Sequence, residues 1–318
     1  MSGVVRVGVV GVGYLGRFHA LIYSRMPGVK LVGVADMDPA AAARVGSEAG
    51  CAVFEHADDL VSQVDAVSVV VPTSSHLEVA RPFLDHGIHV LMEKPIAATL
   101  EAGREIIRLA EQAGVILQIG HLERFNAGVM ALAGRISQPR FIEAHRMNRF
   151  VARATDVDVI SDLMIHDIDI ILALVGSEIV AISAVGTPVL TSHVDIANAR
   201  LEFANGTVAN VIASRVSEKT TRRIRVFEVD RYESLDFTAQ RVDTAYPRAR
   251  PGSDWPEVVM ESLDVDPVRP LDAELAAFVE SVRHGIPPLV DGRVGLKALE
   301  VALRVKAEIL QRLERFPA

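Results

Sequence analysis

Asp162, His166 and Asp169 stand at i, i+4 and i+7 in the segment Ser161-Asp-Leu-Met-Ile-His-Asp-Ile-Asp-Ile170, a spacing that predicts one face of an α-helix. Two carboxylates around one imidazole can orient it and tune it to accept a proton near neutral pH. Ile165, Ile168, Ile171 and Leu172 give the same helix an apolar side, which leaves the polar face for a cleft. A structural reading stands beside this one, with Asp162 as a helix cap and His166 as an interior histidine bonded to Asp169. A divalent metal site is a third reading, weakened because His166 has no second histidine at i±4.

A second chemical group is Glu93-Lys94-Pro95, directly after the apolar run 89–92. A carboxylate and an ammonium at the carboxyl end of a parallel strand emerge where an open α/β sheet binds its ligands. Lysine there can favour an alkoxide as hydride leaves, and the proline restricts the backbone that aims it. The alternative is an exposed ion pair at a turn. Arg124 and Asn126 follow the last strand of the same half: arginine suits a diphosphate, and asparagine reads a sugar hydroxyl or acetamido group or caps a helix. His121, His145, Arg146 and His193 have no spacing that sets them apart.

These groups need a scaffold. Short β-branched runs at 4–10, 31–35, 66–71, 89–92 and 116–118 alternate with helical stretches at 39–50, 75–86 and 99–113. That rhythm predicts a doubly wound parallel sheet of right-handed βαβ units. Gly11-Val-Gly-Tyr-Leu-Gly16 follows the first strand and opens a helix, the order that lets glycines make the turn, admit a pyrophosphate and pack helix on strand, with Tyr14 and Leu15 in the same turn. Asp36 ends the second strand, 20 residues after Gly16, where a carboxylate bonds ribose hydroxyls and repels a ribose phosphate, so NAD is expected rather than NADP. In Val70-Val-Pro-Thr-Ser-Ser-His76, Thr73 and His76 face the cofactor or are, respectively, a helix cap and a packed helix residue.

After Gly120 strands follow one another at 141–147, 179–185, 197–203, 208–215 and 223–229, with Asn205-Gly206 as a hairpin signal. A mostly antiparallel open sheet is predicted, with helices near 271–284 and 296–313 and a Pro-rich connection over 246–270. The expected organisation is α/β: a dinucleotide-binding domain over 1–120 and an α+β substrate and oligomerisation domain over 121–318.

Composition narrows the partners. Against 33 basic residues stand 41 acidic ones, a net −8 with no basic run, which speaks against nucleic acid. The single cysteine, Cys51, excludes a disulfide framework and suits a reducing cytoplasm. No stretch reaches the ~20 apolar residues of a membrane span, and no signal peptide is expected.

The Gly11 to Gly16 fingerprint, Glu93-Lys94-Pro95 and the Asp162-x-x-x-His166 pair, in that order, resemble the glucose-fructose oxidoreductase, inositol dehydrogenase and rhizopine-catabolism (Gfo/Idh/MocA) family of NAD(P)-dependent sugar oxidoreductases over nearly the whole chain. The resemblance implies that Lys94, Asp162 and His166 form the catalytic group, that Glu93 sits near the nicotinamide ribose, and that the second-half sheet builds a homo-oligomer. More narrowly, Gly120-His-Leu-Glu-Arg-Phe-Asn126 and the segment 197–206 resemble the branch that oxidises UDP-N-acetylglucosamine at its 3-hydroxyl. In that branch an aminotransferase takes up the 3-keto sugar on the way to lipid A. The same motifs leave open another sugar or inositol dehydrogenase, an NAD-dependent glycosidase, or a non-catalytic NAD-sugar sensor.

Overall fold

The computed structural model describes residues 3–151 and 157–316. Its first half alternates strands and helices as β1 (Val5–Val10), α1 (Tyr14–Arg25), β2 (Val29–Ala35), α2 (Pro39–Ala49), β3 (Ala52–Phe54), β4 (Ala66–Val69), α3 (His76–Asp85), β5 (His89–Glu93), α4 (Leu100–Ala113) and β6 (Leu117–Gly120). All six strands are parallel in the order β3-β2-β1-β4-β5-β6, with the order reversing between β1 and β4. Their apolar runs reflect burial on both faces: every residue of β4 and β6 is buried. Helix ends follow local chemistry. Asp38 accepts the Ala40 N–H before α2, Thr99 accepts the Ala102 N–H before α4, and Gly50 and Gly114 end those helices in the left-handed region. The three-residue β3 is an addition to the expected strands, since so short a run carries no readable period.

Beyond β6 come α5 (Ala127–Ala133), β7 (Phe141–Met147), α6 (Ile165–Val175), β8 (Ile179–Thr187), β9 (Ile196–Phe203), β10 (Val208–Ser214), β11 (Thr221–Glu228), β12 (Arg231–Asp236), β13 (Arg241–Arg248) and β14 (Glu257–Leu263). The eight strands form one sheet in the order β14-β13-β12-β11-β7-β10-β9-β8, antiparallel throughout except where β7 and β10 run parallel. Gly206, at φ +86°, closes the β9–β10 hairpin. The segment 246–270, expected as a connection, instead contains the end of β13 and all of β14. Their side chains are largely exposed, so no apolar alternation marks them, and Pro247 lies near the sheet's edge, where a missing N–H is tolerated.

The chain then forms α7 (Pro270–His284) and α8 (Gly292–Arg315). Leu275, Phe278, Val279 and Val282 of α7 join Val5, Val7, Val9 and Tyr23 in the core of the parallel sheet. Two compact units result: Met1–Leu122 with Arg269–Leu299, and Glu123–Val268 with Glu300–Ala318. The expected second domain, 121–318, is thus interrupted. The amphipathic pattern of α7 announces a buried face without saying which sheet it covers.

In the second unit the His166 region departs from a regular α-helix. Ile160–Met164 is a π-helical turn in which Ile165 N–H reaches back to the Ile160 carbonyl, and α6 begins only after it. Asp162 therefore sits in a wider turn than His166 and Asp169, and the expected single α-helical face is replaced by a π-to-α junction, a feature frequent at functional sites. Asp158 starts the turn, its carboxylate accepting the Ser161 N–H at 2.8 Å and pairing with Lys306 at 2.7 Å. Burial works to raise the Asp158 carboxyl, but Lys306 and that N–H hold it below the usual carboxylate range.

Arg146, on the buried phase of β7 with Ile142 and Ala144, anchors the helix. Its guanidinium meets the Asp167 carboxylate through two parallel bonds of 2.9 Å and Glu123 through one of 2.7 Å, and lies 4.9 Å from the centre of the Phe237 ring. All three charged side chains are buried. Arg146→Met, which leaves two carboxyls buried without their cation, is expected to lower unfolding free energy by about 3–5 kcal/mol in urea titrations. A loss below about 1 kcal/mol would mean that the triad does not hold the helix.

The connection from β8 to β9 docks the approach to the π-turn. Val159 N–H donates to the Val194 carbonyl at 2.9 Å, and Arg215 donates to the carbonyls of Val157 and Asp195 at 2.7 and 3.0 Å. Asp195 shapes that connection by accepting the N–H groups of Val189, Leu190 and Thr191. Burial would raise its carboxyl, yet these donors bring it down to about 2. A folded-state pKa below the unfolded ~3.9 means that the stabilisation is complete above about pH 4 and disappears as pH falls towards 2. The stability deficit of Asp195→Asn at neutral pH should therefore shrink across that window in acid titrations followed by circular dichroism, and a pH-independent deficit would contradict this account.

Candidate active site

In the first unit, a cavity of 710 Å³ opens at the carboxyl ends of β1 and β2, with Gly11, Gly13, Asp36 and Ser75 among its lining residues. Gly11 adopts φ +84°, and a Cβ on Gly16 would lie 1.9 Å from the Gly11 carbonyl oxygen, so both positions require glycine. A Cβ on Gly13 would meet nothing within 4 Å, which leaves the start of α1 open to a ligand, and no side chain caps that helix. This is the cradle that a pyrophosphate needs. Asp36 braces the loop: its carboxylate accepts the Val12 N–H at 2.6 Å and the Asp38 N–H at 2.9 Å. Tyr14 projects outward against the edge of Phe18, 5.4 Å between ring centres, and Leu15 is half-buried.

His76, expected either at the cofactor or packed in its helix, is the packed residue. It is 1% exposed, and its two ring nitrogens lie 3.2 Å from the Ile96 carbonyl and 3.1 Å from the Val71 carbonyl. Burial pushes its pKa down, against the pull of those carbonyls. Thr73 begins a 3-10 turn ahead of α3, and among the described residues the cavity lining contains Ser75 rather than Thr73.

Glu93 closes β5 and is buried, while Lys94 just beyond it is half-buried and joined to Pro95 by a cis peptide bond. One Glu93 oxygen accepts the Lys94 N–H at 3.2 Å, and the other lies 3.3 Å from His19 Nε2. Gly120 on the neighbouring β6 makes room for this carboxyl, since a Cβ there would lie 2.9 Å from Glu93 Oε1.

In the second unit, Asp162 and His166 are half-buried at the π-to-α junction, whereas Asp169 is buried. Asp169 pairs with Arg124 at 3.4 Å. Arg124 itself lies in the 3-10 turn Leu122–Phe125. Asn126, for which sugar recognition and capping were both open, is the cap of α5. Its oxygen accepts the Gly128 N–H at 3.0 Å, its amide donates to the Phe237 carbonyl at 3.2 Å, and it is 2% exposed.

Sequence reasoning passed over Arg146, Glu123 and Asp167. A charged side chain in phase with Ile142 and Ala144 on a half-buried strand was the available signal, because arginine at such a position must carry its counter-charges with it. His19, Gln118 and Glu274 were also missed, since nothing in their spacing distinguishes a buried polar residue from a solvated one.

Among the described residues no helix is long and apolar enough to cross a membrane. Residues 5–121 match the GFO_IDH_MocA oxidoreductase family, NAD-binding Rossmann fold, and residues 128–228 match the GFO/IDH/MocA C-terminal domain. UDP-N-acetylglucosamine 3-dehydrogenase of Acidithiobacillus ferrooxidans is 39% identical over 313 residues, covering 98% of this chain and 99% of its own. Its solved structure superposes with a TM-score of 0.91, covering 96% of this chain and 97% of the other. The NAD(+)-dependent scyllo-inositol 2-dehydrogenase of Bacillus subtilis is 30% identical over 68% of this chain and 69% of its own. A scyllo-inositol dehydrogenase from Lactobacillus casei, 22% identical, shares the fold at a TM-score of 0.81 over 97% of both chains. With its NAD-binding Rossmann sheet, its mostly antiparallel second sheet and these matches over nearly its full length, the chain belongs to the Gfo/Idh/MocA family of oxidoreductases.

Proposed function

We propose that this protein oxidises UDP-N-acetylglucosamine to its 3-keto derivative with NAD. The observation that carries the reading is the likeness to UDP-N-acetylglucosamine 3-dehydrogenase at 39% identity over the whole of both chains, where the Bacillus subtilis inositol dehydrogenase aligns over about two thirds. NAD supplies the hydride acceptor. Gly11, Gly13 and Gly16 let the backbone approach the pyrophosphate, and Asp36 accepts from the adenosine ribose.

The remaining chemistry falls to side chains. His166 takes the proton of the sugar hydroxyl, Asp162 orients the imidazole, and Lys94 stabilises the developing oxyanion while hydride moves to NAD. Arg124, kept in place by Asp169, offers its fork of donors to the diphosphate. The first unit thus holds cofactor and the second holds sugar nucleotide. The half-buried face of the eight-stranded sheet, where Phe141, Phe227 and Tyr232 stack across β7, β11 and β12, supports self-association. A keto sugar nucleotide is the natural substrate of an aminotransferase, which makes such an enzyme the downstream partner.

The test supplies NAD with a panel of UDP-sugars and free inositols, adds an aminotransferase to draw off the ketone, and identifies products by mass spectrometry. NAD-dependent conversion of UDP-N-acetylglucosamine is expected; its absence, with inositol oxidised instead, would move the protein to the inositol dehydrogenases. In the same assay Lys94→Ala and His166→Ala should each lower kcat by about 100- to 10,000-fold while NAD titrations stay nearly unchanged. Full turnover in both variants would remove them from the chemistry.

A further inference from the structure

Lys94 opens a stretch, 94–99, that belongs to no helix or strand, so the direction of β5 alone does not fix where its main chain runs. Ile96, two residues on, is 0% exposed, and its carbonyl faces His76, whose Nδ1 lies 3.2 Å away. The other nitrogen of the same ring, Nε2, lies 3.1 Å from the carbonyl of Val71. Val71 belongs to the wall of the dinucleotide cavity, beside Val70 and Pro72. That wall backs the glycine loop: a Cβ on Gly11 would lie 2.5 Å from the Val70 carbonyl oxygen and 2.9 Å from Val71 Cγ1. The Val70 N–H ties it to β1 by donating to the Val10 carbonyl at 2.8 Å. One buried imidazole thus spans from the back of the glycine loop to the segment that carries Lys94. A buried carbonyl without a donor is costly, and an imidazole has an N–H for one of these two when neutral and for both when protonated. An apolar residue of the same size would fill the space but hold neither carbonyl.

We propose that His76 is a positioning residue for hydride transfer: by holding the Ile96 carbonyl at a set distance from the cavity wall at Val71, it fixes where Lys94 stands relative to the cofactor. This rests on the reading above, in which NAD occupies the cavity and Lys94 stabilises the developing oxyanion. Stabilisation of that kind depends on the donor being in place before charge develops, and a displacement of about 1 Å can cost on the order of a hundredfold in rate. From its buried place His76 acts through the Ile96 main chain and not on the reacting atoms. The glycine loop and Asp36 hold the cofactor, so the ring bears on kcat rather than on NAD affinity.

The full-length protein is assayed with NAD and UDP-N-acetylglucosamine, the aminotransferase present, in a double-mutant cycle between His76 and Lys94. His76→Phe keeps a ring and removes both nitrogens; it should lower kcat by about 10- to 100-fold while the NAD dissociation constant stays within about threefold. His76→Gln, which keeps an N–H donor, should recover part of the loss. In the Lys94→Ala background His76→Phe should cost less than about twofold more, because the group that it misplaces is gone. A merely structural histidine would slow both backgrounds alike. An unchanged kcat in His76→Phe, or losses that multiply across the cycle while Lys94→Ala alone is crippled, overturns the proposal and leaves the role of Lys94 standing. Full turnover in Lys94→Ala, or none in the unaltered protein, removes that reading and the proposal with it. Circular dichroism checks that each variant is folded; should His76→Phe not fold, His76→Gln carries the same cycle, with a smaller loss expected that again vanishes in Lys94→Ala.

Discussion

A single buried guanidinium sets the geometry of the second unit. Arg146 is surrounded by two carboxylates and an aromatic face, an arrangement in which the cost of desolvating a cation is offset by bidentate bonds and by the shape of the pocket. Its partners are sequence neighbours of proposed site residues: Asp167 follows His166, and Glu123 precedes Arg124. The helix that carries His166 and the short turn that carries Arg124 therefore take their positions from one side chain in the sheet beneath them. The Arg124–Asp169 contact ties the same two elements a second time.

Much polar chemistry in this chain is spent on the backbone. Asp36 secures the glycine loop, Asp195 gathers three N–H groups in one connection, Asn126 caps α5 and His76 bridges two carbonyls. These residue types recur in lists of catalytic groups because they hydrogen-bond well, and they serve architecture for the same reason. Lys94, Asp162 and His166 are half-buried, as is Asp36, whereas Asp195, Asn126 and His76 are buried.

The parallel half was legible because burial on both faces forces apolar β-branched runs, and because the glycine loop and Asp36 obey fixed spacings. The antiparallel strands were legible only while one face stayed buried. The mostly exposed β14 has no such face, and its sequence resembles a connection. The spacing of Asp162 and His166 is compatible with both α and π turns, so periodicity alone did not distinguish the junction that separates them. For Asn126 and His76 the sequence offered two roles of equal chemical sense, and the choice between them depends on where distant carbonyls and N–H groups fall.

The placement of α7 bears on how the protein is made. The core of the parallel sheet includes Leu275, Phe278 and Val279, which leave the ribosome after the whole of the second sheet. An amino-terminal domain ordinarily folds as soon as it emerges. Here the nascent Rossmann layer carries an uncovered apolar face throughout the synthesis of its neighbour, and only an almost finished chain can close it.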